Sequence, residues 1–204
     1  MMSQPKKLVI ATNNRDKLAE IRDILKATDI EILSAADFVD FPEAEETGAT
    51  LAENALIKAR AVWNKYHLPC LADDTGLEVD FLDGAPGVFS SRYAGESATY
   101  DDNCNKLLSE LTRINPEDKG ARFRCVMAFI DGGGVEHTAE GIIEGEIINE
   151  KRGKNGFGYD PVFYVPGHRQ TLAEMESAVK NKISHRHNAL IGIIPVIKTS
   201  FGID

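Results

Sequence analysis

The chain has little of what would mark a disulfide-bonded, membrane-spanning or polyanion-binding protein. Its three cysteines, Cys70, Cys104 and Cys125, are far apart and form no CxxC pair, so neither a disulfide framework nor a zinc site is expected. No run of about 18 apolar residues occurs, and the segment from Met1 to Lys7 lacks the apolar core of a signal peptide. The sequence therefore predicts a soluble, cytoplasmic protein without membrane contact.

Positive charge is also scarce. The 23 Lys and Arg residues are outnumbered by 32 Asp and Glu residues, which gives a net charge of −9. General nucleic-acid binding requires a basic surface, so it is not expected here. A small anionic ligand remains compatible with this balance, and a carboxylate-rich chain would bind phosphates most easily through a divalent cation.

What the chain does have is the composition of a folded domain. It is 43% hydrophobic and 27% charged over 204 residues, values that are ordinary for globular proteins. This length suits one medium domain, alone or with a small lobe. No repeat or low-complexity linker is present, so we expect a single domain over residues 1–204.

Short apolar runs alternate with helical patterns, which predicts an α/β fold. In chain order, we expect a strand over 7–12, a helix from Asn14, a strand over 31–33, a helix capped at Thr50 that ends near His67, a strand over 70–72 followed by a polar turn over 73–76, and helices over 99–111 and from Ser184 onward. Pro195 lies inside the last pattern and predicts a kink or break there.

Two β-branched and aromatic segments, 122–130 and 135–148, flank Asp131-Gly132-Gly133-Gly134. They predict a long antiparallel hairpin. With the strands above, this gives a two-lobed, mixed sheet flanked by helices. The cleft between the lobes is then the default place for a ligand.

The most informative segment is Gly156–Pro161, with sequence GFGYDP. Its glycines permit close backbone approach, and Phe157 and Tyr159 offer ring faces on which a nucleobase can stack. Pro161 restricts both its own backbone and that of Asp160. The alternative is a tight turn that enters a strand and buries both aromatic side chains in the core.

Thr12 to Lys17 spans the turn between the first strand and helix. A helix N-terminus attracts anions, and Thr12, Asn14 and Lys17 add a hydroxyl, an amide and a positive charge. The glycines and the Gly-Lys-Ser/Thr ending of a P-loop are absent. The alternative is a capped helix with solvated charges.

Two acidic groups could hold a metal ion. Glu43, Glu45 and Glu46 precede Thr47-Gly48, and Asp73-Asp74 ends a predicted buried strand. Adjacent carboxylates repel unless a cation or donors compensate, and Mg²⁺ prefers one or two carboxylates with phosphate oxygens and water. Asp74 is the expected metal ligand or base. A solvated surface run and an Asx turn are the respective alternatives.

A basic group surrounds the start of the last helix. His185 and Arg186 lie in its first turn, where a cation opposes the helix dipole and therefore needs an electron-rich partner. Lys180 lies just before them, and Lys58 and Arg92 are weaker cation candidates. Together, the segments supply stacking rings, cations for phosphate and a carboxylate pair, the parts of a nucleotide site with metal-assisted phosphorus chemistry.

Five motifs in order resemble the inosine/xanthosine triphosphate pyrophosphatase family. They are Thr-x-Asn-x-x-Lys from Thr12, Glu-Glu-Thr-Gly from Glu45, Ala-Asp-Asp-Thr-Gly from Ala72, Gly-Phe-Gly-Tyr-Asp-Pro from Gly156 and Ser-His-Arg from Ser184. The resemblance covers nearly the whole chain. It implies a two-lobed α/β fold, a homodimer, and hydrolysis of non-standard purine nucleoside triphosphates (ITP, dITP, XTP) to the monophosphate and pyrophosphate.

The resemblance also implies a role for individual residues. Mg²⁺ would be held by Glu45 and Asp74, with Asp74 also accepting a proton from water and with Glu46 and Asp73 as weaker candidates. The triphosphate and base would be bound by Thr12, Asn13, Asn14, Arg15, Asp16, Lys17, Thr75, Phe157, Gly158, Tyr159, Asp160, Lys180, His185 and Arg186.

The chain departs from the family pattern at two positions. Asn13 stands where many members have Gly, and Thr75 replaces the common Ser but keeps the hydroxyl. Arg186 is expected to donate to the 6-oxo group of the base, because a guanidinium donates and cannot accept. The alternatives are a septum-inhibitor-type pyrophosphatase for thymidine and uridine triphosphates, and a nucleotide sensor without turnover. The aromatic loop with Ser-His-Arg favours the purine enzyme, and the acidic pairs argue against a sensor.

Overall fold

The computed structural model describes residues 6–111 and 119–203. These ranges contain the helices α1 (Arg15–Leu25), α2 (Leu51–Tyr66), α3 (Tyr100–Leu111), α4 (Ser177–Ile183) and α5 (His185–Phe201). They also contain the strands β1 (Lys7–Ile10), β2 (Glu31–Leu33), β3 (Cys70–Val79), β4 (Pro86–Gly87), β5 (Gly120–Ile130), β6 (Glu136–Ile147), β7 (Phe163–Val165) and β8 (Gln170–Thr171).

All these strands belong to one mixed sheet, with the order β2-β1-β3-β5-β6-β7-β8 and with β4 paired to β3. Strand β1 is parallel to both β2 and β3, whereas β4, β7 and β8 make antiparallel pairs. The amide of Asp131 donates to the carbonyl of Val135 at 3.1 Å, and Ile147 donates to Lys119 at 2.9 Å, which places β5 antiparallel to β6. The predicted mixed α/β sheet and long hairpin are therefore confirmed, and the nucleotide cleft stays a prediction.

The described residues fall into two compact units. Unit 1 draws on Met1–Asp74, Cys125–Gly141 and Arg186–Asp204, and unit 2 draws on Thr75–Arg124 and Ile142–His185. Two of the places where the chain leaves one unit for the other lie directly after Asp74 and after His185. Whether residues 1–204 act as one domain stays a prediction.

Each unit has its own apolar core. In unit 1, Leu8 of β1 belongs to a buried cluster with Ile21 of α1 and Ile193 of α5. In unit 2, Leu77 of β3 belongs to a second cluster with Leu107 of α3. Complete burial of one such side chain contributes about 1.5–3 kcal/mol to the free energy of unfolding. Each unit can therefore hold polar groups in place with its own core.

Both predicted helix caps are present. The Asn14 side chain accepts hydrogen bonds from the backbone amides of Asp16 at 2.9 Å and Lys17 at 3.1 Å. Thr50 and Glu53 form the predicted capping box, with amide-to-side-chain distances of 3.2 and 3.1 Å. Caps of this kind contribute about 1 kcal/mol each, and they set where α1 and α2 begin.

The predicted polar turn over 73–76 is wrong, and so is the Asx-turn alternative, because β3 continues through these residues to Val79. Gly76 permits this course, since a Cβ there would lie 2.6 Å from the carbonyl oxygen of Gly87 in β4. Consecutive side chains of a strand point to opposite faces. Asp73 and Asp74 can therefore reach different cations instead of repelling each other in a turn.

The last helix begins where predicted, but it does not break at Pro195. Helix α5 continues to Phe201, although Pro195 cannot donate to the carbonyl of Ile191. Ile191 is exposed, so water can bond that carbonyl. Helix α4 was not predicted from the sequence. Within the described ranges, no helix is long and apolar enough to span a membrane.

Candidate active site

Asp74 lies in β3 with its carboxylate turned toward α2. Its Oδ1 is 2.8 Å from Lys58 Nζ, and its Oδ2 accepts from Asn54 Nδ2 at 3.4 Å. Burial raises the pKa of Asp74, whereas the positive charges of Lys58 and Lys17 lower it. The effect of burial is the larger, so the pKa of Asp74 lies above its ordinary value. The carboxylate is therefore a better proton acceptor than an exposed aspartate.

Lys58 joins Asp74 to the acidic segment before α2. Its Nζ is 3.0 Å from Glu46 Oε1, while the neighbouring Glu45 is exposed. Burial lowers the pKa of Lys58, but Asp74, Asp73 and Glu46 raise it, and the net shift is upward. The ammonium group therefore stays charged while it brings two carboxylates together.

This arrangement fits the needs of Mg²⁺. In the part of the chain that the structure describes, no group of three or more His, Cys, Asp or Glu residues could hold a metal ion. Mg²⁺ does not require such a cage, because it usually binds one or two carboxylates together with substrate phosphates and water. Asp74 and the Glu45–Glu46 pair provide hard carboxylate oxygens of that kind.

Asp73 points to the other face of β3 and is fully buried there. Its Oδ2 lies 3.0 Å from Lys17 Nζ and accepts from Nε and Nη2 of Arg186, each at 3.3 Å. Burial alone would raise the pKa of Asp73, but Lys17, Arg186 and Lys58 bring it well below its ordinary value. Asp73 is thus a permanent anion that ties β3 to α1 and α5.

Arg186 is 1% exposed, and its guanidinium also donates to Glu20 of α1. Burial lowers the pKa of Arg186, but the negative charges of Asp73 and Glu20 raise it, so the pKa lies above its ordinary value. An electron-rich partner was predicted for this cation in the first turn of the helix. In unit 1 that need is met by two carboxylates, so the contacts of Arg186 support a structural role and give no support to its predicted role in base recognition.

The predicted phosphate segment, Thr12 to Lys17, is the start of α1. Thr12 Oγ1 accepts a hydrogen bond from the backbone amide of Asn14 at 3.2 Å. The Asn14 side chain accepts hydrogen bonds from the backbone amides of Asp16 and Lys17. Arg15 and Asn13 are exposed. Two backbone donors of the first turn therefore serve the helix cap, which leaves the side chains as the main groups for a ligand.

In unit 2, the Gly156–Pro161 loop closes around one carboxylate. Asp160 Oδ2 accepts from the amide of Phe157 at 2.9 Å and lies 2.5 Å from Lys180 Nζ. Gly156 has φ 72°, and a Cβ there would lie 2.1 Å from Asp160 Oδ2. The loop therefore needs a glycine at this position, as its sequence suggested.

The two aromatic residues of this loop differ. Tyr159 is 4% exposed, packs in the core of unit 2 and donates from its hydroxyl to the carbonyl of Ser90 at 2.8 Å. Phe157 is half-buried. The core-packing alternative thus describes Tyr159, whereas Phe157 is only partly buried, with Lys180 and Tyr100 against its ring.

The other predicted binding residues make few contacts with charged side chains among the contacts described here. His185 is buried and stacks on Phe123, with ring centroids 4.7 Å apart. Thr75 is half-buried in β3, directly after Asp74. Arg92 lies 3.7 Å from Glu96 and against the ring of Phe89. Gly158 has φ 62°.

Two residues of the site escaped the sequence analysis. Asn54 lies one helical turn before Lys58 in α2, and Glu20 lies three residues after Lys17 in α1. Residues at these separations share a helix face, so each could have been found by asking which polar side chains accompany a candidate cation. Neither carries a motif of its own.

An open mixed α/β sheet flanked by helices, with buried carboxylates paired to lysine and arginine side chains, places the chain among the α/β proteins of mixed sheet topology. Within that class, the Ham1 family model matches residues 8–195. The chain therefore belongs to the Ham1 family, which confirms the resemblance found in the sequence.

Individual relatives agree with this assignment. A protein of Desulforamulus reducens named dITP/XTP pyrophosphatase is 50% identical over 184 residues, covering 90% of this chain and 92% of its own. The solved structure of a HAM1 protein from Coxiella burnetii superposes with a TM-score of 0.86 at 44% identity, covering 95% of this chain and 99% of that one. The Staphylococcus aureus Ham1 protein gives a TM-score of 0.84 at 38% identity, with coverages of 95% and 99%.

Proposed function

We propose that this chain hydrolyses non-standard purine nucleoside triphosphates (ITP, dITP and XTP) to the monophosphate and pyrophosphate. The observation that carries the proposal is Asp74, a buried carboxylate with a raised pKa, held beside Lys58 and Glu46. Membership of the Ham1 family and relatives named dITP/XTP pyrophosphatase support it.

In the proposed reaction, water adds to the α-phosphorus and the bond from this atom to the α–β bridging oxygen breaks. Pyrophosphate leaves with that oxygen. Asp74 accepts the proton of the attacking water, a task for which a raised pKa is suitable. Bound Mg²⁺, held by Asp74 and the Glu45–Glu46 pair, would neutralise developing charge on the phosphate oxygens.

The triphosphate is assigned to the start of α1. Lys17 Nζ lies 3.0 Å from Asp73 Oδ2. The side-chain hydroxyl of Thr12 and the side-chain amide of Asn14 lie on the same turn. A helix N-terminus favours an anion by its dipole. The anchored lysine adds a charge whose position is set by the protein before the ligand binds.

The base is assigned to Phe157 for stacking and to polar groups near it for selection. A site that donates to a 6-oxo group leaves donors unpaired when adenine presents a 6-amino group, at about 1–3 kcal/mol for each. Since Arg186 is engaged by carboxylates, the donors are sought among Lys180, His185 and the loop backbone. Guanine shares the 6-oxo group, so its exclusion depends on its 2-amino group.

The decisive experiment measures pyrophosphate release from a panel of nucleoside triphosphates, with Mg²⁺ and with a chelator. We expect turnover of dITP, ITP and XTP in Mg²⁺ only, and much slower release from ATP and GTP. A preference for dTTP or UTP would support the pyrimidine enzyme instead. Tight binding of ITP without release would support a sensor. The Asp74→Asn variant serves as the blank for contaminating phosphatases.

We further propose a homodimer, one domain over residues 1–204 and a cytoplasmic location. The first follows from the family resemblance, and light scattering on the purified protein would test it. A monomer at micromolar concentration that retains full activity would exclude the dimer as the active form. Limited proteolysis and cell fractionation test the other two.

A further inference from the structure

A buried amide side chain on α2 lies between the acidic segment and Asp74. Asn54 is 0% exposed, and both polar atoms of its side chain have partners within unit 1. Its Oδ1 accepts from the backbone amide of Gly48 at 2.8 Å, and its Nδ2 faces Asp74 Oδ2 at 3.4 Å. A buried amide without partners is costly, so these two contacts account for an asparagine at this position.

The contact with Gly48 determines which way the Asn54 amide points. A backbone N–H can only donate, so the atom that faces Gly48 must be the side-chain oxygen, and the NH₂ group then faces Asp74. The fit at Gly48 is close, because a Cβ there would lie 2.7 Å from Asn54 Oδ1 and 2.6 Å from Glu53 Cβ. The carboxylate of Asp74 therefore faces a donor whose direction is set by the backbone of the acidic segment.

The acidic segment itself depends on α2 for its position. Residues 41–48 belong to no helix or strand. The carboxylate of Glu53 accepts from the two backbone amides that follow this segment, at 2.7 and 3.1 Å, and Lys58 contacts Glu46 at 3.0 Å. Like Lys58, Asn54 contacts both the segment and the carboxylate on β3. Its shorter side chain has less rotamer freedom than a lysine, so it fixes the separation of the two more firmly.

We propose that Asn54 is a positioning residue that fixes the distance between the acidic segment and Asp74, and thereby sets the affinity of this site for Mg²⁺. Because Asn54 is fully buried, it acts through Gly48 and Asp74 and not by contact with metal or nucleotide. The inference rests on the proposed function, since Mg²⁺ is part of that proposal. Residues that orient metal ligands typically contribute about 10–100-fold to metal affinity.

The test replaces Asn54 with leucine, which is similar in size but neither accepts nor donates a hydrogen bond. Mg²⁺ is titrated by calorimetry into protein saturated with an ITP analogue that has an imido group between the α and β phosphates, so that no turnover occurs. Asn54→Leu should raise the dissociation constant for Mg²⁺ about 10–100-fold. In pyrophosphate release, the Mg²⁺ concentration for half-maximal rate should rise by a similar factor, while KM for ITP in saturating Mg²⁺ stays nearly unchanged.

Asn103 offers a matched control, because it is a buried asparagine of α3 in unit 2 with contacts of the same kind. It is 2% exposed, its Oδ1 accepts from the amide of Ala94 at 2.8 Å, and its Nδ2 donates to the carbonyl of Ser91 at 3.1 Å. Asn103→Leu should lower the urea midpoint about as much as Asn54→Leu, since both leave buried backbone groups unpaired. It should leave the dissociation constant for Mg²⁺ unchanged.

Gly48→Ala perturbs the same contact from the other side and keeps the Asn54 amide. The added Cβ would displace the acidic segment from Asn54, so the dissociation constant for Mg²⁺ should rise here as well, by a smaller factor. Circular dichroism checks that each variant folds. If Asn54→Leu does not fold, Gly48→Ala carries the test in its place.

Equal effects of Asn54→Leu and Asn103→Leu on Mg²⁺ affinity would overturn the inference, because Asn54 would then only stabilise the fold. An unchanged dissociation constant for Mg²⁺ in the variant that carries the test would overturn it too. So would a raised KM for ITP with unchanged Mg²⁺ affinity, which would assign Asn54 to the nucleotide.

A different result would overturn the proposed function, and this inference with it. That result is wild-type protein that releases no pyrophosphate from any purine nucleotide, or releases it equally well with a chelator. It is measured on the wild type alone, whereas failure of the inference is measured on the variants of an active, Mg²⁺-dependent protein. The two failures are therefore distinguishable.

Discussion

The two units arrange their most buried charged groups in different ways. In unit 1, the charges form networks: Lys58 contacts two carboxylates, and Asp73 contacts two cations. In unit 2, Lys180 and Asp160 form a single pair, joined to an aromatic ring. The networks concentrate negative and positive charge at one place, whereas the pair holds the shape of a loop.

This difference matches two kinds of chemistry. Phosphate transfer is accelerated mainly by charges held in place before the reaction, which is what a network around β3 provides. Base recognition depends on shape and on stacking faces, which is what a closed aromatic loop provides. Loss of a charged group from the networks of unit 1 is therefore expected to act on turnover or on stability, and loss of the Phe157 ring in unit 2 on nucleotide affinity.

The largest effect is expected at Asp74. Asp74→Asn keeps the size of the side chain but removes the proton acceptor and a carboxylate ligand for Mg²⁺. General acid–base catalysis alone is worth about 10²–10⁴-fold, so kcat should fall by at least that range while ITP still binds. Steady-state pyrophosphate release and calorimetry of ITP binding measure the two halves of this prediction.

Asp80→Asn is a suitable control, because Asp80 is exposed and lies in unit 2. It should leave kcat unchanged. If Asp74→Asn kept more than a tenth of wild-type kcat in saturating Mg²⁺, Asp74 would lose its role, and the contrast between the units would lose its main support.

Arg186 gives the second largest effect, on stability. Arg186→Leu leaves Asp73 and Glu20 without their shared cation in a buried place, and breaking such an arrangement typically costs about 3–5 kcal/mol. Urea unfolding should show this loss. The kcat/KM values for ITP and ATP should fall by a common factor, because the guanidinium is engaged within unit 1.

Arg186→Lys sharpens this test, because it keeps the charge and loses the forked geometry, so its stability should be intermediate. A collapse of the ITP-to-ATP ratio without loss of stability would contradict the structural role. It would restore the original expectation that Arg186 donates to the 6-oxo group of the base.

The parts of the molecule that were predictable from sequence are those set by local signals. Asn14 and Thr50 cap helices through residues two or three positions away, and the glycines after Asp131 mark the hairpin. The missed helix α4 is short and has no apolar period to reveal it. The course of β3 was mispredicted because Asp73-Asp74-Thr75-Gly76 has the local composition of a turn.

For the candidate site, residue types were predictable and pairings were not. The segment around Asp73 and Asp74 is extended because cations from other elements neutralise it, and Arg186 lies 113 positions away in sequence. No local pattern carries that information. Lys180 and Asp160 were likewise predicted as ligand contacts, and no local pattern indicates that the two side chains contact each other.

A smaller effect separates the two aromatic residues of the unit 2 loop. Phe157→Ala should weaken ITP binding by about 1–3 kcal/mol, the value of one stacked base, with little loss of stability. Tyr159→Phe should instead cost about 0.5–1.5 kcal/mol of stability, because its hydrogen bond to Ser90 is lost, and should leave KM unchanged. Thermal unfolding and KM for ITP measure both. A large stability loss with unchanged KM for Phe157→Ala would place its ring in the core as well.

The smallest effect is expected where a good ion pair lies outside the networks. Arg60 donates to Glu136 through Nε and Nη2, each at 2.7 Å. These distances are shorter than the 3.3 Å between Arg186 and Asp73. The two side chains are 50% and 36% exposed, so water and salt screen the pair, and exposed pairs are worth less than about 1 kcal/mol. Arg60→Ala should therefore change the urea midpoint only slightly, and less still in high salt. A loss as large as that of Arg186→Leu would mean that geometry, and not burial within a network, decides the contribution of charge in unit 1.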